Sequence, residues 1–407
     1  MAAAAIQEQF AGLLGGRPAD TGGIYARARA EAPVFWSDAT EGWVVAKRDD
    51  VMRVLTDEDH FVPLSAGAGS SASHGRTILH MSGEEHRKKL APIALRIRRP
   101  ATLNGEIGDL IEELTAGLMD EIGDGGSLDL KEALTTPMPL IVTARIMGLP
   151  DAPKFRDWYY DIVAAGASNL RGDPEVAARG IAARKSLSEW LTPLIEERRQ
   201  SPGDDLLSDL CTLVWDGRVM DVDEVVSFCS FILAAGVETT DRALSSLLKY
   251  LIANPEEWRR LEGDRELIPA ACAEILRWAP PVHGVSRGVK ADTTLQGTQV
   301  RAGDRVLALL ASANRDEDYF ADSETYLMDR FRDNPKKEFT PKASIMPFGA
   351  GTHHCTGSLL ALQEMTVALN LLLDRVEHIE FEDGVPEDVG YVLRSPTALP
   401  VRVQVRN

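Results

Sequence analysis

A mainly α fold with a small β region is predicted by three observations. Apolar residues recur at helical spacing through long stretches at 104–124, 154–170, 174–199, 221–254 and 266–278. Strand-like pieces are few and short. No internal repeat or low-complexity linker interrupts the chain, whose 407 residues carry a length prior of two or three domains that large α-rich folds exceed.

Val34-Phe35-Trp36 and Trp43–Ala46 flank a turn-forming segment and predict a β-hairpin. Asp49-Asp50 is read as the cap of a short helix from Val51 to Leu55. Ile107, Leu110, Ile111, Leu114, Leu118 and Ile122 place one apolar face on the 104–124 helix. In the 221–254 stretch the most apolar part, Cys229 to Val237, stops at Glu238. Gln299–Arg301 and Val306–Leu309 read as strands separated by a Gly303-Asp304 turn. A long apolar helical stretch follows from Ser358 to Val376, and Ala398–Val403 reads as a closing strand.

The composition, 44% hydrophobic and 26% charged, is that of a globular enzyme with a sizeable core. A net charge of -18 argues against nucleic acid as a partner. Cys211, Cys229, Cys272 and Cys355 show no CxxC pairing, which suits a reducing cytoplasm. The N-terminus lacks a basic region followed by an apolar run, so no signal peptide is expected. No stretch is expected to reach the ~18 apolar residues of a membrane span, so the reading is a cytoplasmic protein without a membrane partner.

The most informative segment is Phe348-Gly349-Ala350-Gly351-Thr352-His353-His354-Cys355-Thr356-Gly357. A lone cysteine is usually a small buried hydrophobe. Zinc is a second reading of His353-His354-Cys355, but adjacent side chains converge poorly on one tetrahedral ion. The loop speaks against both. Gly349 and Gly351 permit tight backbone turns beneath a flat ring, and Gly357 permits close approach of the helix. The positive end of the following helix favours a thiolate, and a thiolate so placed can ligate haem iron and favour O–O cleavage. The ten residues match the haem-ligand loop F-G-x-G-x-H-x-C-x-G at every fixed position, and on this loop the chain resembles the cytochromes P450.

That resemblance extends to two further motifs. Ala235-Gly236-Val237-Glu238-Thr239-Thr240 resembles the family's central-helix element, which implies that Glu238 and Thr239 are the acid–alcohol pair supplying protons during oxygen activation. On its own the segment reads as a helix with an ordinary glycine and a solvated glutamate. Gly236 and the threonines together favour a local distortion of that helix. Glu274-Ile275-Leu276-Arg277 is an i,i+3 pair that means little alone. Beside Cys355 it resembles the E-x-x-R element, with Arg330 as the implied third member of a structural triad.

The resemblance also implies the cofactor and its other contacts. Haem b would be ligated by Cys355, with His86, Arg287 and His353 at its propionates and Phe348, Gly349, Gly351 and Gly357 shaping the loop. Leu90 stands where an arginine is expected four residues after His86, and Lys89 or Arg87 is the candidate replacement. Arg87, Lys88, Lys89, Arg96, Arg98 and Arg99 concentrate positive charge that could steer an acidic ferredoxin. Substrate contacts map to Ile78, Leu79, Leu233, Ala234, His283, Val285, Val392 and Leu393, mostly apolar walls for an apolar or aromatic organic molecule.

The implied protein is a single P450 domain, 1–407, monomeric by default. It would be a haem-thiolate monooxygenase that takes O2 and, through separate ferredoxin and ferredoxin reductase, electrons from NAD(P)H. Hydroxylation, epoxidation and O-dealkylation all fit. A peroxide-driven peroxygenase and a non-catalytic haem ligand binder are the alternatives.

Overall fold

The computed structural model describes residues 2–13, 20–64, 75–98, 103, 105–123, 125–150, 153–166 and 173–406. Helices dominate and the sheets are small, as the apolar periodicity predicts. The chain divides into two compact units. The first comprises Met1–Val62, Thr115–Thr136 and Thr239–Asn407, and the second Pro63–Leu114 and Pro137–Glu238.

In the first unit the predicted hairpin forms, Val34–Ser37 pairing antiparallel with Gly42–Val45. Arg305–Ala308 adds to it in parallel, and Val285–Val289 and Phe61–Val62 complete five strands. Alternate residues of these strands, including Val45, Val289, Val306 and Ala308, bury into one apolar cluster with Val51, Val54 and Leu55. Those last three come from the helix Arg48–Thr56, which begins earlier than expected. Lys47 is its N-cap, and Asp49 and Asp50 lie in its first turn, where their charge suits the positive helix end. Thr298–Val300 pairs with Thr293–Leu295 and not with the strand beyond Gly303, so the Gly303-Asp304 turn separates two different sheets. The closing strand, Pro400–Val405, lies between Val376–Phe381 and Gly125–Asp129.

The helix Ser358–Arg375 starts at the cap residue Gly357 and buries Leu360, Leu362, Met365, Leu369, Leu372 and Leu373. One segment containing it, Gly351–Arg375, is long and apolar enough to cross a membrane by length and composition, contrary to the sequence expectation. Its apolar side chains are spent on the core of this unit.

The second unit is built from Gly83–Ile97, Pro137–Met147, Pro153–Ala165, Pro174–Gln200, Leu206–Thr212 and the first half of the long helix Val222–Ala253. Gly180 lets Pro174–Gln200 approach Pro153–Ala165, because a Cβ there would lie 2.1 Å from that of Ala165. Phe155 meets Trp190 edge-on at 4.8 Å across the same helix pair. The predicted 154–170 helix closes at Ala165, and its expected last residues lie outside the described ones.

Candidate active site

Cys355 occupies a loop whose shape depends on backbone conformations glycine adopts freely. Gly349 and Gly351 have φ of 68° and 67°, a left-handed region costly for other residues. A Cβ at Gly351 would also lie 3.0 Å from the Leu55 carbonyl oxygen. The Cys355 N–H donates to the Phe348 carbonyl at 2.8 Å, and the His354 N–H donates to Gly351 at 3.1 Å. His353 closes a short 3-10 turn from Gly351, and Phe348 packs on Phe339 at 5.5 Å. Gly357 keeps the helix start beside the thiol: a Cβ there would sit 3.9 Å from Cys355 Sγ. Cys355 is the exposed cysteine; Cys211, Cys229 and Cys272 are buried. Burial pushes the Cys211 thiol up to about 11 and Cys272 up to about 12, and raises Cys229 as well. Those three are inert thiols, and Cys355 is the sulfur available as a ligand.

Behind the loop, Glu274, Arg277 and Arg330 come together as expected. Arg277 grips Glu274 with two bonds, Nε to Oε2 at 2.8 Å and Nη2 to Oε1 at 2.7 Å, and both side chains are fully buried. Its remaining donors reach the carbonyls of Asn314 (3.1 Å), Ser323 (2.6 Å) and Thr325 (2.8 Å). Arg330 Nε and the Leu327 N–H complete Glu274 at 3.2 and 2.9 Å. Asn314, which the sequence reasoning missed, links this network to the loop: its Oδ1 accepts the Met346 N–H at 2.7 Å. Nothing in the sequence singles out that asparagine.

Arg287 lies on the strand Val285–Val289. Its guanidinium donates to the Ser286 carbonyl at 3.1 Å, and desolvation lowers its pKa. A half-buried cation with no carboxylate partner among the described residues fits a propionate. His86 is buried on the helix Gly83–Ile97 of the second unit. Lys89 is not a stand-in for the missing arginine at Leu90. It is buried, and its ammonium is held by Glu85 at 2.9 Å and Glu224 at 2.8 Å. Arg87 is exposed beside Glu84. The basic concentration is also smaller at the surface than its sequence suggests, since Arg96 is committed to Asp204 and Asp209. Arg99 lies outside the described residues.

The central helix is continuous α-helix from Val222 to Ala253, so the expected distortion at Gly236 is not found. Gly236 serves close approach: a Cβ there would lie 2.8 Å from Thr143 Oγ1. Glu238 is buried, and the Tyr159 hydroxyl donates to its Oε2. Thr239 is half-buried at the next position. At the next position Thr240 bonds Glu364, a buried acid on the Ser358–Arg375 helix pushed up to about 8 by desolvation. A carboxylate inside an apolar run was the signal for it.

The residues read from the sequence as substrate contacts are placed unevenly. Leu233 and Ala234 line an apolar cavity with Phe155, Trp158, Tyr159 and Ile162. Ile78 is buried and Leu79 exposed on a short 3-10 turn. Val285 packs on the sheet core, Val392 on a second cluster around Tyr391, and Leu393 is buried where it bridges to Val282. His283 has a different partner from the one anticipated. Its Nδ1 bonds the Tyr25 hydroxyl at 3.0 Å, and burial beside Arg394 and Arg315 lowers it to about 3, leaving a neutral packed imidazole.

The family model for cytochrome P450 matches residues 35–397. Among curated relatives, pulcherriminic acid synthase of Bacillus subtilis is 28% identical over 388 residues, covering 93% of each chain. Nocardicin C N-oxygenase of Nocardia uniformis is 32% identical over 396 residues, covering 93% of this chain and 94% of the relative. The crystal structure of CYP109E1 from Bacillus megaterium in complex with testosterone superposes with a TM-score of 0.80 at 28% identity, covering 94% of this chain and 99% of that one.

Proposed function

The chain belongs to the cytochrome P450 family, and from that premise we propose that it inserts one oxygen atom from O2 into a small apolar or aromatic organic molecule, using electrons from NAD(P)H carried by a separate ferredoxin and its reductase. It is a P450 monooxygenase, and its cofactor is haem with a cysteine-ligated iron. The observation that carries the reading is the exposed Cys355 in its glycine-shaped loop, set against three buried, inert thiols.

When bound, the haem supplies oxygen activation, with the thiolate pushing electron density toward the oxygen. The residues of this chain do the rest. Cys355 presents its sulfur from a loop held by Phe348, Gly349, Gly351 and Gly357. Arg287, with His86 and His353, supplies positive or hydrogen-bonding groups for propionates. Glu274, Arg277 and Arg330 fix the scaffold. Glu238 and Thr239 are consecutive residues of one helix, the pair assigned to proton delivery. Burial of Glu238 excludes bulk water from its carboxyl.

The apolar, aromatic lining at Leu233 and Ala234 supports an apolar substrate. A structural neighbour solved in complex with testosterone is consistent with that class. The two units interleave in sequence, changing at 62/63, 114/115, 136/137 and 238/239, which supports one P450 domain over 1–407. Cytoplasmic location and a monomeric state complete the reading.

Isotopically labelled dioxygen tests it. Holoprotein given NADPH, a surrogate ferredoxin and its reductase, and a library of apolar ligands preselected by spectral shift should yield products carrying one labelled oxygen. Label-free product formed only with added peroxide overturns it in favour of a peroxygenase.

A further inference from the structure

Tyr159 sits on the helix Pro153–Ala165 with its ring on the cavity shared by Leu233 and Ala234, and its hydroxyl on Glu238 Oε2. Both partners are buried, at 3% and 6% exposure. One side chain therefore touches the apolar cavity wall with its ring and the candidate acid with its oxygen. A phenol is suited to this: it is a large apolar surface with a polar tip, and when buried its hydroxyl takes a partner. The ring is fixed by its neighbours, since it packs against Tyr160 at 5.1 Å and its helix is crossed closely at Gly180. A carboxylate on a helix can rotate about its side-chain bonds, and a single directed donor selects one of those orientations.

We propose that Tyr159 is a positioning residue for Glu238: its hydroxyl sets the direction of the Glu238 carboxyl and ties that direction to the packing of the cavity wall. This rests on the reading of Glu238 as the proton-delivering acid. Tyr159 keeps its proton throughout and takes no part in the chemistry. The packing of the cavity wall and the direction of the acid are then coupled through one hydrogen bond.

The test compares Tyr159→Phe, Glu238→Gln and the parent as holoproteins. Phenylalanine keeps the ring and the fold and removes only the donor. In the resting protein labelled with isotopic glutamate, infrared difference spectra should show a carboxyl band that is lost in Glu238→Gln and displaced in Tyr159→Phe. During NADPH oxidation through a surrogate ferredoxin without added substrate, Tyr159→Phe should raise the peroxide-to-water ratio and the solvent isotope effect. The ratio is expected to change about tenfold, within the ~10²-fold that misplacing a catalytic group can cost. A Tyr159→Phe protein whose Glu238 band and peroxide ratio match the parent overturns the proposal. If Glu238→Gln also leaves the ratio unchanged, the assignment of Glu238 has failed. If Glu238→Gln alters it and Tyr159→Phe does not, only the role of Tyr159 has failed.

Discussion

Substituting Arg277 by lysine keeps the positive charge opposite Glu274 and removes the planar fork. Arg277 makes five bonds, two to Glu274 and three to the carbonyls of Asn314, Ser323 and Thr325. An ammonium offers three donors from one point, so at least two of the five bonds are lost, although Glu274 Oε1 and the Thr325 carbonyl keep Arg330 as a donor. A lost hydrogen bond whose acceptor keeps another donor costs about 0.5–1.5 kcal/mol, which gives about 1–3 kcal/mol for the two bonds lost in Arg277→Lys. Arg277→Ala also strips Glu274 of its main countercharge, adding the ~3–5 kcal/mol typical of a broken buried pair. Arg330 and the Leu327 N–H remain on the carboxylate and limit that loss. Against a total stability of ~5–15 kcal/mol, lysine should give a weakened holoprotein and alanine little holoprotein at all. Haem content per chain and thermal unfolding of the purified proteins measure both. Parent-like haem content and melting in Arg277→Lys would refute the argument, because a point charge would then suffice where five directed bonds are drawn.

Other expectations concern the loop, the central helix and pH. Arg287→Gln should speed haem loss to an apomyoglobin acceptor while leaving the thiolate-type carbon monoxide band intact, since the change touches the cation proposed for a propionate and not Cys355. Gly236→Ala should cost about 1–3 kcal/mol through the clash with Thr143, and adding Thr143→Ala should restore most of it. Glu364 is raised from 4.5 to about 8, so the unfolded chain ionises first as pH rises; its contribution is fully present below about 4.5 and lost toward about 8. Denaturant titrations of Glu364→Gln should therefore show a flatter decline than the parent across that interval. His283, lowered from 6.5 to about 3, works in the opposite sense: the unfolded chain takes the proton first, and stability falls as pH drops from about 6.5 toward 3. His283→Gln should remove that acid-side slope.

What could be read in advance was whatever had a local signature. The long helices show in their apolar period, the hairpin in its turn, and the loop in its glycines, two of which occupy left-handed conformations that other residues take at a cost. Pairing over long sequence distances had no such signature. Arg305–Ala308 pairs in parallel with Gly42–Val45, which no local pattern announces, and the turn before it misleads because it suggests a hairpin. Charge was misread for a similar reason. Lys89 and Arg96 belong to a basic run in sequence, yet Glu224 and Asp209, each over a hundred positions away, hold them inside the second unit. Gly236 was given the wrong role, because a glycine that bends a helix and one that admits a neighbouring threonine look the same in one dimension.

The position of Cys355 is set from behind as much as from its own loop. Arg277 Nη1 holds the Asn314 carbonyl, and Asn314 Oδ1 holds the Met346 N–H, two residues before Phe348. Met346 accepts from Gly349, and Phe348 accepts from Cys355 at 2.8 Å, so a chain of directed bonds runs from a fully buried ion pair to the backbone of the ligand. A glycine-rich loop left to itself would sample many conformations, because its glycines lower the cost of each. A buried carboxylate and guanidinium cannot rearrange cheaply, since any break leaves a charge without compensation. Coupling the two gives the loop the stiffness its own residues lack. On this argument the E-x-x-R pair and the cysteine loop are one device, and Asn314 is the member that joins them.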